Sequence, residues 1–245
     1  GGGSAAWTAG GAGIFYTRYP HEGERPAADI DFYQQVWFHR IGTPVGEDQY
    51  SIGKEFPRIA EVDLKTSADG QWVLATVANG DGGDFAHYVR APAGKWQQVT
   101  RFADGVKEVK FGRDGALYQL SRKNAPRGKV LRLSPIVGQA SRLPTANLAP
   151  EAGGTPAPLF DLAKATVAAP ESRGTVQEFA PSDHGLYVSC LLGGPSTLFY
   201  YQRGSTRARE IPIPPVSAVS GLDSWQADDA VFGNVSYVKP FAWFT

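Results

Sequence analysis

Residues 67–90, SADGQWVLATVANGDGGDFAHYVR, decide the fold. The stretch opens on a tight-turn signal, Ala68-Asp69-Gly70. It runs through an apolar segment at 72–77, turns again at 79–84 and resumes in a second strand-like run at 85–89. Asp and Asn tolerate left-handed backbone angles and Gly adopts them without strain, so both Gly/Asp clusters read as turns. On a strand, Trp72 and Leu74 project to one side and Val73, Ala75 and Val77 to the other. Neither side is polar, which predicts a strand sandwiched between two layers.

The unit recurs along the chain. The last turn residue before each principal strand is Gly13, Gly70, Gly115, Gly185 and Asp229, spaced 57, 45, 70 and 44 residues apart. A period of about 45–50 residues with four short strands per unit is that of a β-propeller blade. The first unit carries strands at 5–8, 14–19, 35–41 and 49–55, and the second at 61–66, 72–77, 85–89 and 96–101. The third carries 106–111, 117–121, 130–133 and 165–169, and the fourth 175–180, 186–190, 198–202 and 209–213. The fifth has 219–225, 231–237 and 241–244, without a fourth strand. The expectation is one all-β domain of four-stranded antiparallel blades, divided near 1–56, 57–104, 105–171, 172–214 and an incomplete 215–245. An open arc of five blades exposes the apolar faces of its end blades, which predicts self-association unless the ring closes.

Two segments break the rhythm. Residues 20–31, PHEGERPAADID, form a polar loop within the first unit. Residues 134–158 are rich in Ala, Pro and Gly, show no strand pattern and account for the longest interval. Loops of this length are uncommon unless they serve a function. Residues 159–164 have room for a short helical turn at most.

Composition narrows the partners. The 245 residues balance 24 Lys and Arg against 24 Asp and Glu, for a formal net charge of zero. This argues against nucleic acid or an anionic membrane surface as the main partner. The single cysteine, Cys190, excludes an intrachain disulfide. No apolar run approaches the ~18–20 residues that span a bilayer, and no signal peptide is visible. The chain starts at Gly1, contains no Met and ends in a strand entered mid-stride, so both ends read as cuts in a longer protein.

The residues that carry chemistry do not assemble a site in sequence. His21, His39, His87 and His184 show no metal-ligand spacing and read as strand or loop histidines. There is no Gly-x-Ser-x-Gly elbow; in Gly193-Gly194-Pro195-Ser196, the proline is wrong for that strained turn. Cys190 sits in an apolar strand without a cationic neighbour in sequence and reads as an inert buried thiol. Asp81-Gly82-Gly83-Asp84 lacks the spacing and closing Glu of a calcium loop. No catalytic residue, metal site or cofactor is expected. Arg122, Lys123, Arg127, Lys129 and Arg132 make a basic run, read as a solvated loop or as a docking face for an acidic partner or peptide carboxylate.

A family resemblance adds to this reading. GIFYTRYP at 13–20, ERPAADIDFYQQVWFH at 24–39, LATVANGDGG at 74–83, RFADGV at 101–106, DGALYQLSR at 114–122, APRGKVLR at 125–132, GGPS at 193–196 and PPVSAVSG at 214–221 run from end to end of the chain. In order and spacing they resemble the propeller domain of prolyl oligopeptidase-family serine peptidases, bacterial prolyl endopeptidases especially. The resemblance implies a seven-bladed propeller, of which this chain holds about five blades. That propeller is stacked on an α/β-hydrolase catalytic domain whose Ser-Asp-His triad lies outside this chain; a ring closed with fewer blades is the alternative. It also implies a gated filter that admits short proline-containing peptides and excludes folded proteins, in a parent that cleaves after proline. The chain alone is then inactive. In the family, the loops joining second to third strands share one rim with the links between blades, and that rim faces the catalytic domain. On it the resemblance places Arg18, His21, Asn79, Asp81 and Arg127 as candidates for contacting peptide or partner domain, and loop 20–31 matches a mobile loop of substrate entry. The sequence departs from the family at 79–84, where some members place a cysteine, and near Gly2, where some place an aromatic. The rival reading is a stand-alone propeller that binds a peptide or protein, distinguished by a stop codon rather than a Gly-x-Ser-x-Gly downstream.

Overall fold

A computed structural model describes residues 3–92, 94–135 and 160–245. Nineteen strands form five antiparallel sheets, each a meander of consecutive strands. The first holds β1 (Ala5–Trp7), β2 (Gly13–Arg18), β3 (Gln35–Arg40) and β4 (Gln49–Ile52). The second holds β5 (Ala60–Thr66), β6 (Val73–Asn79), β7 (Phe85–Arg90) and β8 (Trp96–Thr100). The third holds β9 (Val106–Phe111), β10 (Leu117–Ser121), β11 (Lys129–Leu133) and β12 (Thr166–Ala169). The fourth holds β13 (Thr175–Pro181), β14 (Gly185–Leu191), β15 (Ser196–Gln202) and β16 (Ala208–Ile211). The fifth holds β17 (Ala218–Ser224), β18 (Ala230–Val235) and β19 (Ala242–Phe244). Helical structure among the described residues is confined to three-residue 3-10 turns, one of them at Leu162–Lys164. Among the described residues no helix is long and apolar enough to cross a membrane. The insert expected at 134–158 lies, from 136 onward, outside the described residues.

The two-sided strand that opens the sequence reading behaves as its pattern requires. Val73, Ala75 and Val77 pack with Phe15, Val36 and Val62 in a cluster joining the first and second sheets. Leu74 points the other way, with Val89, Val109 and Leu117, into a cluster joining the second and third. A third cluster, around Tyr118, Phe179 and Val188, joins the third and fourth sheets. A fourth, around Tyr187, Leu198 and Phe232, joins the fourth and fifth. β6, β10 and β14 of the second, third and fourth sheets therefore bury both faces, and each fully buried Leu or Val contributes about 1.5–3 kcal/mol. Among the described residues no apolar cluster joins the fifth sheet to the first, so the blades form an arc.

Turn chemistry sets the strand ends. The strand expected at 209–213 stops at Ile211, because Pro212 has no N–H to give the ladder. The strand expected at 49–55 stops at Ile52, where Gly53 turns with φ at +128° and accepts a bond from Phe56 N–H. The run expected at 231–237 ends at Val235, since Lys239 O accepts Ser236 N–H in the next turn. Gly70 is required for a further reason. Its φ is +71°, and a Cβ there would lie 2.9 Å from Ala9 Cα in the adjoining turn. That close approach lets Ala9 N–H reach Gly70 O at 3.0 Å and ties the first two sheets together.

Candidate functional site

Antiparallel meanders place the loops between second and third strands on the same rim as the links between sheets. On this rim the first sheet's long loop is folded down by charge and aromatic contacts. Arg18 lies 3.8 Å over the Trp37 ring and grips Glu24 with both guanidinium nitrogens, at 2.7 and 2.9 Å. The Arg18 hydrogen bond, with help from the His21 backbone N–H, holds the Glu24 carboxyl down at about 2. Further along, Arg25 stacks on Tyr33 at 3.8 Å, and Arg58 stacks on Phe32 at 3.5 Å while pairing with Asp29 at 3.0 Å. Tyr33, at a left-handed φ of 58°, donates its N–H to Arg58 O at 2.8 Å. The loop is thus clasped to the link that follows its own sheet.

Between this loop and the second sheet lies a cleft of about 290 Å³, lined by Tyr19, Asp31, Phe32, Arg58, Glu61 and Asp81, among others. Its carboxylates outnumber its one guanidinium, so its walls suit a cationic or hydrogen-bond-donating group. The equivalent place between the fourth and fifth sheets is a larger hollow of about 590 Å³, lined by Pro195, Val216, Ser217, Val235 and Tyr237. It is mostly apolar. Val216 is held at a φ of 51°, a strained state for a β-branched side chain. The link is pinned by Ser217, whose Oγ donates to Pro214 O at 2.6 Å and accepts from Asn234 Nδ2 at 2.8 Å.

The five rim candidates do not converge. Arg18 and His21 meet through Glu24, the first by its side chain and the second by its backbone N–H at 2.9 Å. Asp81 is exposed in the 3-10 turn Gly80–Gly82 and lines the acidic cleft. Asn79 closes β6, and its N–H donates to Asp84 O at 3.0 Å, so its role at the rim is turn closure. Arg127 stands apart, in the β10–β11 loop of the third sheet, facing the link to the fourth. Its backbone N–H and its guanidinium both engage Glu171, at 2.8 and 3.5 Å. Residue types alone missed Arg58, Glu61 and Tyr19; the link Phe56-Pro57-Arg58, a rim segment by topology, was the available signal for Arg58.

The basic run from Arg122 to Arg132 is not a free docking face. Arg122 donates to Pro126 O and Val176 O, Lys123 lies 3.9 Å from Asp104, and Arg127 is held by Glu171. Arg132 clamps the nearly buried Asp114 through two nitrogens, at 2.9 and 2.8 Å. Much of this charge meets neighbouring acidic or carbonyl groups that sequence spacing does not show, while the Lys123 and Arg127 side chains stay more than half exposed.

One serine, histidine and aspartate do meet, and their geometry is structural. Ser182 Oγ donates to Asp228 Oδ1 at 2.8 Å, and His184 Nδ1 lies 2.9 Å from Asp228 Oδ2. Hydroxyl and imidazole each engage the carboxylate rather than one another, so the imidazole does not face the hydroxyl proton as the base of a catalytic triad would. Asp228 also accepts the His184 N–H at 2.7 Å, and its own carbonyl takes the Tyr187 hydroxyl at 2.6 Å. The set clips the fourth sheet's first turn to the fifth sheet's. Cys190 is buried, and that burial pushes its thiol up, away from the reactive thiolate. Among the described residues no three His, Cys, Asp or Glu side chains gather as a metal set.

Comparison with known proteins gives this architecture a family. The model of the prolyl oligopeptidase N-terminal beta-propeller domain matches residues 1–245. A curated relative, prolyl oligopeptidase A of Galerina marginata (strain CBS 339.88), is 25% identical over 148 residues, which are 55% of this chain and 20% of that protein. Among solved structures, a prolyl endopeptidase studied for inter-domain dynamics in catalysis and specificity superposes with a TM-score of 0.75 at 19% identity. Oligopeptidase B from Leishmania major superposes with a TM-score of 0.69 at 15% identity. Prolyl oligopeptidase B from Galerina marginata, bound to a 35mer hydrolysis and macrocyclization substrate, gives 0.67 at 13%. Each alignment covers 98% of this chain and 32–34% of the other. The chain therefore spans about a third of the length of these structures and a fifth of that of the curated relative.

Proposed function

The chain belongs to the prolyl oligopeptidase family, in its N-terminal β-propeller domain, and on that footing we propose that it is the non-catalytic gate of a two-domain serine peptidase. The parent would join this propeller to an α/β-hydrolase domain and cleave short peptides on the carboxyl side of proline. The propeller would cover the active site and select substrates by size. The observation that carries the reading is the family match over the whole chain combined with an arc of stacked sheets in which the polar side chains are spent on holding sheets and rims together. The one Ser–His–Asp meeting has no hydroxyl–imidazole contact. The cleft holding Asp81 and the apolar hollow at Val216 are, on this reading, the parts of the rim that meet the catalytic domain or passing peptide.

A length series of proline-containing peptides, supplied to the full-length parent, tests the proposal. Turnover should fall steeply with substrate length and vanish for a folded protein with an exposed proline loop. Equal cleavage of short peptides and folded proteins would contradict a size filter. Absence of a hydrolase domain in the parent would contradict the two-domain reading.

A further inference from the structure

Neighbouring sheets in this arc are joined backbone to backbone, with one exception. Ala9 N–H donates to Gly70 O between the first and second sheets, at 3.0 Å. Val176 N–H donates to Arg127 O between the third and fourth, at 2.8 Å. Ser196 N–H to Ser217 O, at 2.8 Å, and Asp183 N–H to Ala227 O, at 3.0 Å, join the fourth and fifth. Among the described residues no backbone hydrogen bond crosses from the second sheet to the third. The first strands of the sheets repeat the contrast. Val62 N–H of β5 is taken by Gln34 Oε1 of the first sheet at 2.6 Å, and Val219 N–H of β17 by Ser196 Oγ of the fourth at 3.0 Å. The link from β9 to the second sheet is a flexible side chain, Lys107, whose Nζ reaches Gly83 O.

The interior of that same interface holds most of the unpaired buried polar side-chain atoms among the described residues. His87 pairs with Thr76 across the β6–β7 ladder, and Leu74 pairs with Val89 two residues along, so His87 shares the face directed at the third sheet. Gln119 lies opposite Val109 and two residues from Leu117, on the face directed back at the second. Both residues are fully buried. His87 Nε2 and both amide atoms of Gln119 make no hydrogen bond within the protein; they are three of the five such buried side-chain atoms among the described residues. A partly satisfied polar layer is a weak place in a packed core.

Between β8 of the second sheet and β9 of the third, the chain runs through 101–105. Phe102 packs against the cluster of the first two sheets, and Asp104 accepts the Arg101 N–H at 2.8 Å. Gly105, at a φ of 65°, gives its carbonyl to Arg122 N–H of the third sheet at 2.8 Å. Asp104 thus turns back to Arg101 while also reaching Lys123 of the third sheet at 3.9 Å, and Gly105 bonds to the third sheet. Besides Lys107, side-chain contacts across the seam include Gln97, whose amide meets Phe160 O at 2.8 Å and Phe160 N at 3.3 Å, the Trp72 ring 5.8 Å from that of Phe160, and Lys123 at 3.9 Å from Asp104.

We propose that the arc opens along the seam between its second and third sheets, with the first two sheets and the last three moving as bodies about Asp104–Gly105, and that this opening is a route by which an extended peptide passes the propeller. The seam itself follows from the contacts above. The route rests on the reading given under Proposed function.

Thiol labelling of this chain separates the two. Val109→Cys, in a Cys190→Ala background, places a thiol in the seam. The natural Cys190, in the interface of the third and fourth sheets, is the reference. A sub-global opening predicts that the seam thiol labels roughly tenfold or more faster than Cys190, with a shallower dependence on urea. Gln97→Ala or Lys107→Met should accelerate the seam thiol further and leave Cys190 unchanged. Should Val109→Cys fail to fold, Val89→Cys places the thiol on the opposite wall. A seam thiol that labels no faster than Cys190, with the same urea dependence and no response to either clasp variant, would overturn the seam. In the full-length parent, Gln97→Ala should raise kcat/KM for a long peptide several-fold more than for a Gly-Pro amide. An equal response of the two substrates with a mobile seam would overturn the route alone. A parent without peptidase activity would overturn the two-domain reading and leave the seam standing.

Discussion

The imidazole Nδ1 of His87 lies 2.7 Å from the Thr100 hydroxyl, with both residues sealed from solvent between the second and third sheets. Burial pushes the histidine down from its ordinary 6.5 to about 4. Folding therefore holds it neutral where the unfolded chain would protonate it. The stability it withholds is fully present above about pH 6.5 and drains away as pH falls towards 4, with a ceiling of about 3 kcal/mol. Urea midpoints measured from pH 7.5 to 4.5 should fall for the native chain more steeply than for His87→Leu. Parallel curves for the two proteins would remove His87 as the cause.

Asp114 is the hub of the outer third sheet. Burial alone would raise its carboxyl, but Arg132, the Ala116 N–H and Arg203 bring it below its usual value. Tyr118 also donates its hydroxyl to it at 3.2 Å. Asp114→Ala strands two guanidinium groups and a phenol, and should destabilise the chain by about 3 kcal/mol. A double-mutant cycle with Arg132→Met should return a coupling of 1 kcal/mol or more, on the order expected for contacting charged pairs. A chemical denaturation series reads both.

Gln34 is 3% exposed and supplies the acceptor for Val62 N–H. Gln34→Ala leaves that amide unpaired at the first inter-sheet interface. The expected cost is about 1–3 kcal/mol. Hydrogen exchange should show the Val62 amide losing protection ahead of its neighbours in β5; a Val62 amide as protected as before would mean that another acceptor replaces the glutamine.

Val216 is 74% exposed and sits in the left-handed region. Glycine adopts that conformation without the β-branched clash, so Val216→Gly should raise stability by about 1 kcal/mol despite the added freedom of the unfolded chain. Thermal unfolding of the isolated chain reads this directly. An unchanged or lower midpoint would mean that the apolar side chain contributes more than its strain costs.

The fold was legible in the sequence because two independent signals agreed at each strand. Gly70, Gly115 and Gly185 mark turns, and the runs that follow them are apolar on both faces, as in Val73–Asn79 and Gly185–Leu191. All nineteen strands fall within a few residues of the expected positions, and the misplaced ends trace to Pro212, Gly53 and Ser236. The site was legible only in outline. Arg18 and Asp81 could be singled out from the strings, but their neighbours Glu24, Arg58 and Glu61 depend on how loop 20–31 folds back onto its sheet. The pairings inside the basic run could not be read from sequence, because Asp114 and Glu171, which meet Arg132 and Arg127, lie on a turn and a link outside it. The seam was invisible for the same reason. Nothing in the strings around His87 and Gln119 says that their strands face each other until register and sheet order are known.

The most direct test of the account is hydrolysis of a chromogenic Gly-Pro amide by the purified chain, with and without a serine-directed phosphonate label. The account predicts no turnover and no labelled serine, since on the proposed reading the chemistry belongs to a separate hydrolase domain of the parent. Turnover abolished by the label would reveal a nucleophile within these 245 residues and contradict the reading of the chain as a gate.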